Sequence, residues 1–373
     1  MVNLAIKYRP VTFDKVIGQE VTVKILKNMV KTKDICLSYV FSGSFGTGKT
    51  TLARIFSRAI NCENKEFGYN PCNKCHTCKS ISSDTAMDVV EMDAASNGLV
   101  NDIRNLSEAA KYKPIINYKV FILDEAHSIS NTAFQVFLKM LEVQGKAVFI
   151  FCTTRKDKIP ETILSRSSVH DFYPVSDVDI FSLLKDIAGK ENLKYDEKAL
   201  KIISKLSDGS VRNALTVLSD LSTIEISVAN TVKLYGLVTN KYSDSIFEYL
   251  FSGSVNNALR LTVNEINKGS DIKNMIKSLS NTLLDIVSAK YKCYQRINGS
   301  LERKKRISKL ALKLKNGIPS KLFTEFCNAD FNLRSLIPSN ITMLLLISSM
   351  AEVIGVEQRN ILDVSDIERL INE

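Results

Sequence analysis

The chain has 373 residues, 45% of them hydrophobic and 24% charged, which matches a soluble globular protein and excludes the apolar-poor composition of disorder. At about 100 to 200 residues per domain, two or three domains are expected and a single small module is excluded. Lys and Arg total 50 against 40 for Asp and Glu, a formal net charge of +10 that suits a polyanionic partner without establishing one.

Met1 to Pro10 lacks the charged region followed by an apolar stretch that a secretory signal needs, so a cytoplasmic location is expected. The most apolar late stretch, Met343 to Val356, is broken by Ser348, Ser349 and Glu352 and is too short to cross a bilayer as a helix. No membrane partner is expected.

Through residue 175 apolar runs alternate with helical patterns, the signature of a parallel sheet flanked by helices. The predicted strands are Leu37 to Ser42, Met87 to Met92, Val120 to Asp124, Ala147 to Cys152 and Val169 to Tyr173. Between the third and fourth, Ser130 caps a helix whose Ala133, Phe134, Phe137, Leu138 and Leu141 share one face, and Gly145 follows its end. After Pro174 the strand signal stops. Ser176 to Asn192, Asp196 to Ser207, Ser210 to Ser222 and Ser227 to Leu234 read as four helices joined by short loops. From about Val238 longer helices follow, with breaks at Gly299-Ser300 and Gly317 to Pro319, and Pro338 opens a last one. The expected division is 1–175, 176–238 and 239–373.

The run Gly43-Ser44-Phe45-Gly46-Thr47-Gly48-Lys49-Thr50 fits the phosphate-loop pattern between a predicted strand and a helix carrying Leu52, Ile55 and Phe56. Its glycines let backbone N–H groups turn inward, and the helix start adds positive potential where phosphates would sit. Lys49 would reach the β- and γ-phosphates, and Thr50 would coordinate Mg²⁺. Downstream, Val120 to Glu125 is an apolar strand ending in two carboxylates. Asp124 would hold Mg²⁺ and Glu125 would polarise the attacking water. A glycine turn that binds nothing, and two acids that only cap the next helix, are the alternatives. His127 reads as a packing or hydrogen-bonding residue and is left out of the site.

Cys62, Cys72, Cys75 and Cys78 supply four thiolates with two Cys-x-x-Cys steps, a spacing that fits one tetrahedral Zn²⁺. Four sulfurs close the site, so the metal is assigned to stability rather than catalysis and His76 is expected to face solvent. A redox or disulfide cluster is the alternative. Cys36, Cys152, Cys293 and Cys327 sit in apolar settings and are expected to be buried thiols. Arg166, after the fourth strand, and Arg212, opening a helix after Gly209, could each meet phosphate charge through a bidentate guanidinium or simply face solvent.

Taken together, Tyr8-Arg9-Pro10 with Phe13 and Gly18-Gln19, the phosphate loop, the four cysteines, Asp93 to Ser96, Asp124 to His127, Thr153-Thr154, Ser165-Arg166 and Gly209 to Arg212 resemble the gamma/tau subunit of the bacterial DNA polymerase III clamp loader, an AAA+ ATPase. The likeness is close over about the first 235 residues and weaker beyond, where Asn332 to Arg334 and the Pro338 helix are similar to the family's collar. It implies an α/β AAA+ P-loop domain with a zinc-binding insertion at 62–78, a small helical lid domain and an all-α collar domain that oligomerises.

The resemblance implies that Gly43 to Thr51 (Gly43, Ser44, Phe45, Gly46, Thr47, Gly48, Lys49, Thr50, Thr51) hold ATP and that Thr50 and Asp124 hold its Mg²⁺. Thr154, with Thr153 as fallback, would sense the γ-phosphate, and Arg212 would contact the nucleotide from the lid. Arg166 matches the finger that reaches a neighbour's ATP, and Tyr8, Arg9, Val16 and Ile17 lie where the family holds adenine. Implied partners are delta- and delta-prime-type loader subunits, copies of the chain itself, the sliding clamp and primer-template DNA. Three positions depart from the family: Ser167 for Cys, Phe45 for an arginine, and Leu141 to Gln144 without Glu-Pro-Pro. The sequence does not single out the residues that would contact DNA; Ser96 to Arg104 is a candidate, while Arg303 to Arg306 reads as a solvated helix face.

Three rival readings remain open. An AAA+ recombination or remodelling motor would translocate on DNA, a non-hydrolysing subunit would need no Glu125, and a zinc-dependent nucleic-acid-binding regulator would keep DNA affinity without ATP.

Overall fold

A computed structural model describes residues 3–355, apart from 65, 67, 98–99, 143–145, 239, 298–299 and 336. The Gly145 and Gly299 breaks, most of the turn after Leu141, part of the Ser96 to Arg104 segment and residues 356–373 lie outside the described residues. By internal contacts the chain forms two units, Met1–Val228 and Ala229–Glu373.

In the first unit five parallel strands, β1 (Ser38–Gly43), β2 (Val89–Asp93), β3 (Lys119–Asp124), β4 (Ala147–Thr153) and β5 (Ser168–Phe172), lie in the order β2-β3-β4-β1-β5. They start and end within two residues of the sequence expectation. Strand side chains alternate between faces, and here both faces are covered. Tyr39, Phe41, Val120, Ile122, Val148, Ile150 and Cys152 share one core with Leu52 and Phe56, whereas Val40, Phe121, Leu123, Phe149 and Phe151 share the other with Phe134 and Phe137. Burial on both sides explains why β1, β3 and β4 read as continuous apolar runs rather than as alternation, while β2 and β5 at the sheet edges carry exposed polar residues. Phe121 stacks on Phe149 at 5.3 Å between ring centroids, and Phe137 meets Phe149 edge-on at 5.6 Å; truncating such a ring to alanine costs about 3–5 kcal/mol.

The topology decides where a ligand can bind. β4 lies between β1 and β3, so the ends of three strands from distant sequence open onto one crevice, the usual ligand position of a parallel α/β sheet. The helices that follow the sheet start at the expected caps: Ser176, Asp196 and Ser210 accept from the N–H groups of Asp179, Lys198 and Asn213.

The second unit is helical among its described residues, with Asn240–Phe251, Val255–Asn267, Ile272–Lys290, Leu301–Lys313, Ile318–Asn332 and Ser339–Ile354 packed around Phe247, Leu279, Ile286, Ile307, Leu322 and Ile347. Two expectations fail here. Arg303 is not on a solvated face: its side chain is 7% exposed and paired with Asp244 and Asp285, because it points inward one turn before the buried Ile307 while Lys305 and Arg306 point out. Cys293 and Cys327 are exposed rather than buried thiols. Cys327 lies midway between Phe323 and Phe331 on the outer face of its helix, and those rings are 61% and 72% exposed. No helix among the described residues is long and apolar enough to cross a membrane.

Candidate functional site: a phosphate loop facing two acidic residues

The loop between β1 and the helix Lys49–Asn61 turns through residues of positive φ. Gly43 has φ +148°, and a Cβ there would stand 2.2 Å from the carbonyl oxygen of Phe172, so only glycine fits. Lys49 folds back under the loop, and its Nζ donates to the carbonyl oxygens of Gly43 at 2.9 Å and Ser44 at 2.8 Å. Burial holds this ammonium below its ordinary value, partly offset by Cys152, Glu125 and Asp124. The loop is braced from outside by Gln19, which donates to the carbonyls of Tyr173 at 2.6 Å and Thr47 at 3.5 Å and accepts from the Tyr173 N–H at 3.1 Å. That bracing accounts for the Gly18-Gln19 pair.

Across the crevice Thr50 Oγ1 donates to Asp124 Oδ2 at 2.8 Å. Glu125, at φ +47°, turns away from the strand axis, and its Oε2 lies 3.4 Å from Thr154 Oγ1, the donor, and 3.3 Å from His127 Nδ1. Thr153 is buried and faces His127 Nδ1 at 3.4 Å while accepting from the Arg155 N–H. Of the two threonines, Thr154 therefore faces the acidic residue. His127, read from sequence as a packing or hydrogen-bonding residue outside the site, makes its polar contacts within this group; its place two residues past the carboxylates was the available signal.

Around the mouth, Arg54 grips Glu91 through two hydrogen bonds of 2.5 and 2.8 Å. The Arg9 guanidinium is held below its ordinary value by burial and by the like charges of Arg54 and Arg212, partly offset by the carboxylates of Glu91 and Asp84. Arg54 was missed because its signal lies only in the fold. Tyr8 hydrogen-bonds Glu191, which with Lys7 at 2.6 Å also forms an ion pair; that bond, with some burial, pushes the phenol up to about 12. Val16 and Ile17 are half-buried, Val16 against the core that contains Leu26 and Tyr39.

From the helical part of the same unit, the Val211 N–H donates to the Gly46 carbonyl at 3.1 Å, and the Arg212 guanidinium carbon stands 5.5 Å from the centroid of the Phe45 ring. Arg166 is exposed and donates to the carbonyl of Thr162 at 3.2 Å; among the described residues no hydrogen bond or ion pair joins it to Lys49, Asp124 or Glu125. Its neighbour Ser167 leads into β5 beside the start of β1, with its hydroxyl 2.6 Å from that of Ser38.

The four cysteine sulfurs lie within 4.8 Å of one another, and those of Cys72 and Cys78 are 3.9 Å apart. Tetrahedral thiolates around one Zn²⁺ would be about 3.8 Å apart. Backbone N–H groups of Cys72, Lys74, Cys75 and Cys78 point at these sulfurs at 3.3 to 3.4 Å, as suits thiolates rather than thiols. The cluster is compatible with zinc. His76 is exposed.

Comparison with known proteins adds kinship. A family model described as DNA polymerase III, delta subunit, matches residues 18–176. The chain is 35% identical over 324 residues to the DNA polymerase III subunit tau of Bacillus subtilis, spanning 85% of this chain and 57% of that one; it thus covers little more than half of that relative's length. It is 36% identical over 295 residues to the DNA polymerase III subunit gamma of Buchnera aphidicola subsp. Schizaphis graminum, 77% of this chain and 80% of that one. Among solved structures, the Thermotoga maritima RuvB Holliday junction branch migration motor aligns at 17% identity with a TM-score of 0.47, over 65% of this chain and 79% of that one. Identity at this level across four fifths of the Buchnera subunit means that the chain belongs to the DNA polymerase III gamma/tau subunits.

Proposed function

We propose that the chain is an ATP-hydrolysing AAA+ subunit of a clamp loader, in which ATP drives opening of a sliding clamp and its placement on primer-template DNA. The observation that carries this reading is the convergence of Lys49, Thr50, Asp124, Glu125 and Thr154 on one crevice at the ends of β1, β3 and β4. The relatives' names, subunits of DNA polymerase III, supply the setting.

In this reading residues 1–175 bind nucleotide and carry the zinc module at 62–78, residues 176–238 form the lid, and residues 239–373 form the collar. The N–H groups of Gly43 to Thr51 cradle the phosphates, and Lys49 leaves the carbonyls of Gly43 and Ser44 for the β- and γ-phosphates. Thr50 and Asp124 offer Mg²⁺ two hard oxygens already 2.8 Å apart, in keeping with its habit of taking one or two protein ligands and filling the rest with water and phosphate. When bound, Mg²⁺ neutralises charge building on the β- and γ-oxygens. Glu125 orients and polarises water, with Thr154 positioned to report the γ-phosphate to it. Tyr8, Arg9, Val16 and Ile17 surround the adenine, Arg212 meets the nucleotide from the lid, and Arg166 serves a neighbouring subunit's ATP. The zinc of Cys62, Cys72, Cys75 and Cys78 is structural.

Partners are delta- and delta-prime-type subunits, further copies of the chain, the clamp and DNA. The exposed Phe323 and Phe331 of one helical face support an oligomerising role for the collar, since apolar rings gain from being covered. ATP can do work here only by binding one arrangement of lid and sheet better than another. DNA would be held through its phosphates, with strong salt dependence and little sequence preference.

The test is steady-state ATP hydrolysis by the reconstituted loader with and without clamp and primed DNA. Stimulation by both is expected; a rate indifferent to either would remove the clamp-loading function.

A further inference from the structure

Phe45 presents an aromatic ring at the crest of the phosphate loop, 55% exposed, where burial gives it little reason to be aromatic. What the ring meets is Arg212, whose guanidinium carbon is 5.5 Å from the ring centroid, inside the reach of about 6 Å of a cation–π contact. The backbone on both sides is fixed, so the pair is more than two long side chains crossing in solvent. The Val211 N–H donates to the Gly46 carbonyl at 3.1 Å, and a Cβ on Gly46, at φ +73°, would stand 2.0 Å from Ser210 Oγ. Ser210 in turn caps the helix that carries Arg212, accepting from the Asn213 N–H at 3.2 Å.

We propose that Phe45 is a positioning residue for Arg212: its ring holds the guanidinium at the mouth of the phosphate loop, so that the contact from the helical part to a bound nucleoside triphosphate is made in advance. The inference rests on the nucleotide reading above and adds a residue through which affinity is set. Ordering Arg212 beforehand removes a rotamer cost that binding would otherwise bear.

The experiment is titration of the full chain with a fluorescent ATP analogue. Phe45→Ala should weaken binding about two- to fivefold, the size of an exposed cation–π contact, Phe45→Tyr should restore it, and Arg212→Ala should weaken it at least as much as Phe45→Ala. In the Arg212→Ala background, Phe45→Ala should add nothing. Phe45→Ala binding that equals wild type, or losses that multiply in the double variant, would overturn the platform while leaving the nucleotide site intact. A wild-type chain that takes up no analogue would overturn both.

Discussion

Thr50 and Asp124 are 74 positions apart in the chain and 2.8 Å apart in space, the threonine hydroxyl donating to the carboxylate. Thr50 opens the helix that follows β1 and Asp124 ends β3, and these two strands never pair, because β4 runs between them. The bond therefore bridges the width of a strand, and the end of β4 brings Thr153 and Thr154 into the gap it spans. In the proposed reading, one strand order therefore sets the phosphate cradle, the metal oxygens and the γ-phosphate sensor together.

Glu125→Gln separates binding from chemistry. The residue occupies a left-handed turn and faces Thr154 Oγ1 at 3.4 Å and His127 Nδ1 at 3.3 Å. Glutamine keeps the shape and the polar contacts but cannot take a proton from water. ATP affinity should be retained while single-turnover hydrolysis falls by about 10² to 10⁴. Hydrolysis at the wild-type rate would show that the water is activated elsewhere.

Arg166→Ala should act only in the assembly. The side chain is exposed and its hydrogen bond goes to the carbonyl of Thr162, so the isolated chain should keep its unfolding midpoint, with stability changed by no more than about 0.5 kcal/mol. In the assembled loader, turnover should fall by about 10³ or more, the scale of a trans arginine, and a wild-type neighbour should restore it at one interface. Unchanged turnover of the complex would remove the trans role.

Much of this was legible in the sequence, for local reasons. Strands buried on both faces show as apolar runs, and Ser176 and Ser210 declare helix starts because a cap is a short-range hydrogen bond. The phosphate loop and the cysteine module are contiguous segments whose geometry is written in their spacing. What stayed hidden needs partners that only the fold supplies. Arg303 reads as one of four basic residues in a row until Asp244, 59 positions away, closes on it. Arg54 acquires meaning from Glu91, and Phe45 from Arg212. Cys327 follows Phe326 in sequence, but a helix can still direct the sulfur outward, and Cys293 between Lys292 and Tyr294 is exposed as well.

Metal removal should loosen the cysteine segment and spare the nucleotide crevice. Among the described residues, the segment is tied to the rest by side-chain bonds that include Arg58 NH1 to Ser82 Oγ at 2.9 Å, the Phe13 N–H to Asn70 Oδ1 at 3.0 Å and Asn73 Nδ2 to the Val11 carbonyl at 3.2 Å, whereas Gln19 and the strand ends hold the phosphate loop. In a closed thiolate site the binding energy of the metal is folding energy. Metal analysis should find one zinc per chain. Chelation or Cys78→Ser should open residues 62–84 to limited proteolysis while the ATP analogue still binds. Native protein that contains no zinc and yet resists cleavage there would contradict the assignment.

The buried cluster in the helical unit predicts an asymmetry between breaking a charge pair and replacing it. Arg303 donates to Asp244 from Nε at 3.0 Å and from NH2 at 2.9 Å, and to Asp285 from NH1 at 2.7 Å; the Asp244 side chain is 1% exposed. Asp244→Ala leaves the buried guanidinium with Asp285 as its remaining counter-charge and should cost about 3 kcal/mol in urea unfolding of the full chain. Replacing both partners, Asp244→Leu with Arg303→Met, removes charge and counter-charge together. Asp285, 13% exposed, keeps a route to water, so the double variant should recover most of the loss. If Asp244→Ala costs less than about 1 kcal/mol, the desolvated guanidinium has found water, and the cluster is not the dry pair that its exposure implies.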